Sequence, residues 1–463
     1  MGYEIEYATY VGGSGFEEAR EPVLLNGGRL LFGARTKSGN IRTTPGAFQR
    51  SFGGGVGDSY LAVLSPDGSR LEAATYFGGS GMERPPYGIA VAPDGDIVFG
   101  SGTTSPNIPM TAGRYRPNLH NPVPSPGGGY VCRISGDLTT LRWCTYTGGG
   151  WPRGGMRLDP DQNVLVVGRV TGANFTTTVG VVQRQALGTD DAFVLKLNSD
   201  GTDIVFSTRL GGRSTEVGEV ALSVRMDAVG NLYVSGISTS EDFPVTSGAA
   251  QTVSRGPKDG FLAKLNPTAT RFLYSTFLSG SGLEGCEHQS VLIEDGTVLC
   301  GGETSSGDLP GGAGRRGGRD GFIAQLNPSG SAFDVVRYVG GTADEQQLGP
   351  VRDDEGNIYL FGNTNSTDLA TTPDAIQRTY AGGVADGFLM VLAPDASSVL
   401  FSTYLGGSGN ELIRGVAVGP SGELYLVGRT DSPDFPVTTG AVQTSLGGDS
   451  DAFVVKLVRR AGN

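Results

Sequence analysis

Short apolar segments recur along the entire chain, and turn-forming residues bound each of them. Examples are LYVSG from Leu232, LYLVG from Leu424 and FVVKL from Phe453, all rich in β-branched and aromatic residues. Such segments, set between clusters of Gly, Pro, Asn and Asp, are typical of β-strands. Since no long segment has the helical period of about 3.6 residues, the pattern predicts an all-β protein.

One phrase gives the period of this pattern. TYLGGSGNE begins at Thr403, and related phrases begin at six earlier positions: Thr9, Thr75, Thr145, Thr208, Thr276 and Arg337. The second residue of each phrase is aromatic, except for one arginine. The successive spacings of that residue are 66, 70, 63, 68, 61 and 66, so seven copies of one unit tile the chain.

Each copy contains four strand-like segments in the same order, which predicts one four-stranded antiparallel blade per copy. A single such sheet cannot bury both faces, so the blades must stack into a closed ring. The chain begins with the phrase EIEYATYVGG and ends just after the segment Asp451–Leu457. In every internal copy, phrases of these two kinds are hairpin partners. The sequence therefore predicts a single seven-bladed β-propeller over residues 1–463, whose N-terminal strand completes the last blade.

The phrases YxTYLGGSG, GNLYVxGxT, DFP and DAFVxKL together resemble the bacterial β-propeller repeat family, often found in large secreted or surface proteins. The resemblance covers essentially the whole chain, because several separate phrases recur in fixed order. It implies an extracellular binding or scaffold module. It brings no catalytic residues to this sequence.

The charge and the apolar segments exclude some classes of partner. The net charge is −12, and no basic stripe with interleaved aromatic residues is present, which argues against a nucleic-acid partner. No apolar run approaches the roughly 18 residues of a membrane-spanning helix. No signal peptide is visible at the start, so an extracellular, cell-surface or periplasmic location requires a leader that this sequence does not include.

The four cysteines form two pairs in the sequence. Cys132 and Cys144 flank a turn at Gly136 and are expected to face each other across a hairpin, which predicts a disulfide. For Cys286 and Cys300, a turn at Asp295-Gly296 places Cys300 opposite Val291, so a second disulfide and a pair of buried thiols both stay open. One disulfide favours an oxidising compartment.

Two sets of acidic residues lie on the face predicted to carry the long loops. With the innermost strand called a and the outermost d, this face holds the d–a crossings and the b–c loops. Seven residues after the aligned aromatic, the crossings carry Glu17, Glu83, Glu216, Glu284, Glu345 and Glu411, with Arg153 in one divergent copy. The c strands open with Asp58, Asp191, Asp259, Asp320, Asp386 and Asp451, with Gly128 in that same copy.

Two interpretations of these acids are open. They form a ring near the channel mouth that binds Ca²⁺ or a cationic group, or each accepts backbone N–H bonds within its own glycine-rich loop. Because they recur in six copies, the second interpretation is favoured. No cofactor is required, and calcium is the candidate if there is one.

The divergent copy combines cationic and aromatic residues where the others carry acids. We predict a ligand or partner site formed by residues of two consecutive loops: Arg114, Tyr115, Arg116, His120, Trp151 and Arg153. Arginine and aromatic residues are enriched in interface hot spots. The alternative is a loop insertion without function.

Few groups for catalysis are present. His120 and His288 are the only histidines, and no Cys-x-x-Cys, HExxH, P-loop or GxSxG motif occurs. The sequence favours a non-enzymatic binding or scaffold module that presents its loop-bearing face to a protein or a glycan. The alternative is a carbohydrate-active hydrolase or lyase with carboxylates at the channel mouth. A blade-specific pair of acids with shifted pKa would indicate the enzyme, whereas acids in equivalent positions all round would indicate the scaffold.

Overall fold

The chain folds into seven antiparallel β-sheets. A computed structural model describes residues 1–116, 128–172, 174–216, 218–286, 290–312 and 314–460. Within these ranges it contains 29 strands and no helix, and therefore no helix long and apolar enough to cross a membrane. Each sheet has four strands, with one innermost strand divided in two. The prediction of an all-β, seven-bladed β-propeller is confirmed.

The strands follow one another around the ring in chain order, starting with β1 (Tyr3–Val11), which belongs to blade 7. Blades 1 and 2 consist of β2 (Glu17–Leu25), β3 (Arg29–Thr36), β4 (Asp58–Leu64) and β5 (Leu71–Phe77), then β6 (Gly88–Val91), β7 (Ile97–Thr103), β8 (Gly128–Ile134) and β9 (Leu141–Tyr146). Blade 3 consists of β10 (Gly150–Pro152) and β11 (Arg157–Leu158) as the divided inner strand, β12 (Val164–Thr171), β13 (Asp190–Leu197) and β14 (Ile204–Leu210).

The remaining blades repeat this order. Blades 4 and 5 consist of β15 (Val220–Met226), β16 (Leu232–Ser238), β17 (Asp259–Leu265) and β18 (Phe272–Leu278), then β19 (Val291–Leu292), β20 (Val298–Thr304), β21 (Asp320–Leu326) and β22 (Phe333–Val339). Blades 6 and 7 consist of β23 (Glu345–Arg352), β24 (Ile358–Thr364), β25 (Asp386–Leu392) and β26 (Val399–Leu405), then β27 (Glu411–Val418), β28 (Leu424–Thr430), β29 (Asp451–Arg459) and β1.

The ring closes through the two ends of the described chain, as predicted. Strand β1 pairs antiparallel with β29, with Tyr3 opposite Arg459 and Val11 opposite Ala452. Each innermost strand also contacts the innermost strands of both neighbouring blades, from β2 round to β27 and back to β2. These contacts surround a central channel.

The hydrophobic core is divided into layers between neighbouring blades. One layer joins Tyr359 and Leu389 of blade 6 to Leu426 of blade 7, and the next joins Val427 of blade 7 to Phe32 of blade 1. Adjacent residues on one strand thus serve opposite layers, because side chains alternate between the two faces of a sheet.

In five blades, the aligned aromatic residue is a tyrosine that fastens the b–c loop of its own blade. The Tyr404 hydroxyl donates to the Ser366 carbonyl at 2.8 Å. The same bond, at 2.7–2.9 Å, is made by four further tyrosines: Tyr10, Tyr76, Tyr146 and Tyr338. In blade 3 the buried Arg209 takes this place, with a bond of 2.7 Å to Asp191 and one of 2.6 Å to the Gly172 carbonyl.

The b–c loops extend across the rim of the ring and hold the next blade. In five blades, a backbone N–H of this loop donates at 2.9–3.0 Å to a carbonyl in the c–d turn of the following blade. We call this contact the rim clasp. Its N–H donors are Phe48, Tyr115, Val182, Ala250 and Val442. The b–c loops are therefore not confined to the face where the sequence placed them.

Both cysteine pairs are bonded. Cys132 and Cys144 are directly opposed on β8 and β9, with Cα atoms 4.0 Å apart, which confirms the predicted disulfide. Cys286 and Cys300 are also bonded, with Cα atoms 5.7 Å apart. Val291 lies opposite Leu299 and not opposite Cys300, so the register expected from the sequence was wrong by one residue.

Removing β1 tests how far stability depends on ring closure. Deletion of residues 1–11 leaves backbone groups of β29 unpaired and uncovers part of the last core layer, so we expect the thermal midpoint to fall by at least about 10 °C. A synthetic peptide of residues 1–13 should restore it, whereas a scrambled peptide should not. An unchanged midpoint after deletion would show that the ring does not need this strand.

Candidate ligand-binding site in the central channel

At six of the seven d–a crossings, a buried glutamate ties the crossing to the blade that follows it. In Glu411, one carboxylate oxygen accepts the Gly407 N–H at 2.9 Å, and the other accepts the Thr430 hydroxyl at 2.5 Å. The same arrangement holds at four further crossings, through Glu17, Glu83, Glu284 and Glu345. These residues therefore accept hydrogen bonds within their own loops, as the favoured interpretation requires.

The structure corrects the alignment at two crossings of different length. In blade 4, Glu219 accepts the Gly212 N–H and the Ser238 hydroxyl, while Glu216 is exposed three residues earlier. In blade 3, Gly150 takes the glutamate position, since it lies opposite Val170 as Glu17 lies opposite Thr36. Arg153 lies three residues further along and does not replace a glutamate.

The aspartates that open the c strands hold the b–c loops. Asp58 accepts the Gly53 N–H at 2.6 Å, and Asp386 accepts the Ala381 N–H at 2.7 Å. The remaining four accept donors from residues near the end of their own loop or, in one case, from Arg209: Asp191, Asp259, Asp320 and Asp451. In the divergent copy, Gly128 opens β8 and offers no carboxylate.

At four junctions between blades, the aspartate and the next glutamate face each other across a glycine, which is Gly78, Gly211, Gly340 or Gly406. A Cβ atom at Gly78 would lie 2.4 Å from Asp58 Oδ1 and 2.7 Å from Glu83 Oε2, which explains why this position is glycine. The Oδ1 atom is buried and accepts no hydrogen bond from the described residues in five blades: Asp58, Asp191, Asp259, Asp386 and Asp451.

Burial and the facing carboxylate weaken the acidity of these pairs. Burial, with a smaller contribution from the nearby Glu83, raises the pKa of Asp58 to about 7. Burial likewise raises the pKa of Glu219 to about 7 and the pKa values of Asp386 and Asp451 to about 6. A pair of this kind can hold one proton between its carboxylates.

Calcium binding by these acids stays a prediction. The described residues contain no group of three or more His, Cys, Asp or Glu side chains arranged to hold a metal ion. Six of the seven junctions offer two carboxylates each, most of whose oxygens already accept hydrogen bonds from the loops. The geometry favours the interpretation of both acidic sets as structural acceptors.

The predicted cationic and aromatic patch is divided between the rim and the channel. Tyr115 supplies a rim clasp to the Gly201 carbonyl, and Arg114 donates to the Asp200 carbonyl at 2.8 Å. Arg116 donates to the Thr176 hydroxyl at 2.6 Å. This segment thus holds blade 3, as equivalent segments do elsewhere, and His120 lies outside the described residues.

Trp151, by contrast, lies at the inner edge of blades 2 and 3. The guanidinium carbons of three arginines lie 5.2–5.4 Å from the centre of its ring: Arg84, Arg153 and Arg169. The indole occupies the space beside Gly102 on β7, where a Cβ atom would lie only 1.8 Å from the indole nitrogen. Trp151 is 8% exposed.

Side chains from four blades converge beside Trp151. The guanidinium groups of Arg20 and Arg153, from blades 1 and 3, lie 5.2 and 4.9 Å from the ring centre of Tyr87 in blade 2. Glu18 accepts a hydrogen bond from Arg20 at 2.9 Å and lies 3.5 Å from Arg414 of blade 7. Arg20 and Arg153 belong to blades that are not adjacent, yet both lie against the ring of Tyr87, which places this group of side chains at the channel.

The convergence extends to nine arginines, which we call the arginine cluster. Six lie on or directly beside innermost strands: Arg20, Arg84, Arg153, Arg157, Arg225 and Arg414. Three lie on b strands, which are the second strands counted from the channel: Arg35, Arg169 and Arg429. Among the described residues, their acidic neighbours are Glu18, Glu21 and Asp190. A strongly cationic centre thus exists within a chain of net charge −12.

The electrostatics of the cluster reflect this excess of positive charge. Burial opposes ionisation of Glu18, but Arg20 and Arg414 outweigh it and lower the pKa of Glu18 to about 2. Burial and the charge of Arg20 together lower the pKa of Arg414 to about 10. Burial and neighbouring arginines also lower the pKa of Arg153 and of Arg225. Keeping these groups charged therefore costs free energy.

The sequence indicated only two members of this site, Trp151 and Arg153. The other arginines lie in different copies, and nothing in their local sequence indicates that they meet. One signal was available, because Arg169 and Arg429 directly follow the glycine of the b strand and Arg35 lies two residues after it.

Comparisons with known proteins show similarity of fold alone. No protein-family model matches this chain, and no curated protein sequence matches it. The WD40 repeats of RRP9 are 8% identical, with a TM-score of 0.49, over 99% of each chain. A protein of unknown function from Dyadobacter fermentans is 12% identical, with a TM-score of 0.43, over 99% of this chain and 100% of that one. BamB from Moraxella catarrhalis is 8% identical, with a TM-score of 0.39, over 94% and 99%.

The paired carboxylates predict a dependence of stability on pH. The pKa values of Asp58, Glu219, Asp386 and Asp451 in the folded state are raised above the unfolded value of about 4, so the stability these residues contribute is present at low pH. It is lost as the pH rises through about 6 to 7. We expect a higher thermal midpoint at pH 5 than at pH 8, and Asp58→Asn should reduce the difference.

Asp395→Asn is the matched control, because Asp395 is exposed and its pKa is lowered by the Ser397 hydroxyl. It should leave the difference between pH 5 and pH 8 unchanged. A midpoint that rises with pH over this range would contradict the proton-sharing pairs. A calcium-dependent rise at pH 8 that Asp58→Asn reduces would instead identify a metal site.

Proposed function

We propose that this protein is a non-enzymatic binding module whose ligand or partner, a protein or a glycan, meets the ring at the central channel. The observation that carries the proposal is the arginine cluster around Trp151 and Tyr87. Its arginines come from blades 1, 2, 3, 4 and 7 and not from blades 5 and 6, whereas the buried acids recur at six of the seven junctions. A feature confined to part of a repeated architecture is the stronger candidate for function.

The alternative is a carbohydrate-active hydrolase or lyase. Such an enzyme needs two carboxylates that act on one bond. The described acids with raised pKa lie instead at equivalent junctions and hold loops, as Glu83 and Glu411 do. This distribution supports binding over catalysis.

The two disulfides support an extracellular, cell-surface or periplasmic location. Such bonds persist in oxidising compartments and are rare in the cytosol. The resemblance to secreted propeller repeats is consistent with the same location.

An array of neutral and acidic glycans, together with a hydrolysis assay, tests the proposal. We expect binding to one class of glycan without release of reducing ends. The double variant Arg84→Gln/Arg153→Gln should reduce binding at least tenfold. Arg255→Gln, which alters an exposed ion pair with Asp308, is the matched control.

Release of reducing ends that Glu83→Gln abolishes would contradict the proposal and establish the enzyme. Binding that the double variant leaves unchanged would place the ligand away from the channel. If no glycan binds, the glycan is excluded and a protein is the partner to be sought.

A further inference from the structure

We infer that the arginine cluster binds a multivalent oxyanion, a ligand that presents at least two phosphate or carboxylate groups. This inference rests on the proposed function, since it names the chemistry of a ligand at the same channel. Three features of the described residues support it: an excess of positive charge, donors without acceptors, and the spatial distribution of the guanidinium groups.

The first feature is the imbalance of charge. Nine guanidinium groups are accompanied by the carboxylates of Glu18, Glu21 and Asp190. Glu18 serves both Arg20 and Arg414, so it cannot neutralise either of them alone. Stacking on Trp151 and Tyr87 offsets part of the repulsion, but it adds no negative charge. A bound anion would supply the missing negative charge.

The second feature is a set of buried donors that the protein leaves unused. The indole N–H of Trp151 is buried and meets no acceptor among the described residues. The same is true of the Nε–H groups of four arginines: Arg35, Arg84, Arg414 and Arg429. Buried donors are normally paired, and the oxygens of phosphate and carboxylate groups are the acceptors that guanidinium groups hold best.

The third feature is the distribution of these groups around the channel. Arg84 and Arg153 come from blades 2 and 3, whereas Arg20 and Arg414 come from blades 1 and 7. One oxyanion group can meet guanidinium groups on one side only, so a ligand with two such groups uses more of the cluster. Because guanidinium groups already cover the rings of Trp151 and Tyr87, stacking of a neutral sugar is disfavoured.

Isothermal titration calorimetry and thermal unfolding with pyrophosphate and with citrate test this inference. Sodium chloride at matched ionic strength is the reference, because general screening also relieves repulsion. We expect at least one of the two anions to bind the full-length protein and to raise its midpoint above that reference. Comparison of pyrophosphate with citrate distinguishes a phosphate ligand from a carboxylate ligand. Monovalent acetate should bind at least tenfold more weakly than the anion that binds.

Variants then locate the site. Arg153→Gln should weaken binding at least tenfold, and without anion it should not lower the midpoint, because it removes a like charge from the cluster. Arg153→Lys keeps the charge and should retain part of the affinity. Arg255→Gln should bind as the unaltered protein does.

Three results would overturn the inference. They are no binding of either anion, a rise in midpoint no larger than with sodium chloride, or binding that Arg153→Gln and Arg84→Gln both leave unchanged. If glycans bind without cleavage while both anions fail, this inference falls and the proposed function stands. If glycans are cleaved while the anions bind as expected, the proposed function falls instead.

Discussion

Every blade of this ring must bury two hydrophobic faces, and only its neighbours can cover them. The layer between blades 6 and 7 and the layer between blades 7 and 1 use alternate residues of the same strands, such as Leu426 and Val427. Polar contacts then fix the spacing between neighbouring blades at two distances from the ring axis. Near the channel, buried glutamates hold the crossings, and at the outer edge the rim clasps hold the following blade. The hydrophobic layers require a ring, and these contacts set its geometry.

The same constraint explains the glycine pair in the repeated phrase. In TYLGG, the first glycine, Gly406, leaves room for two carboxylates from neighbouring blades, and the second, Gly407, donates its N–H to Glu411. A side chain at Gly407 would meet Ser432 and Asp434. The repeated sequence is therefore explained by the way in which two blades join. Features that depart from the repeat require a separate explanation. The arginine cluster is such a feature.

The fold could be predicted from the sequence because each blade repeats the same short sequence phrases in the same order. The spacing of the phrases, the closure by β1 and the Cys132–Cys144 bond all follow from local patterns. The positions of Glu216 and Arg153 were misjudged because two crossings differ in length, which shifts the residue that enters the innermost strand. Tyr115 was assigned to a ligand site because a rim clasp depends on a contact with the next blade. The arginine cluster forms only when blades 1, 2, 3, 4 and 7 meet, and no local pattern shows that meeting.

The pairing of β1 with β29 also bears on how the protein is made. Strand β1 is synthesised before the other strands of the ring, yet its sheet partner is β29, so the nascent chain carries an unpaired edge until β29 has been made. Contacts between such distant segments form slowly, and exposed strand edges favour aggregation. The intermediate blades can fold in succession as they emerge. The final ring, and with it the complete channel, can exist only after synthesis of the last blade has finished.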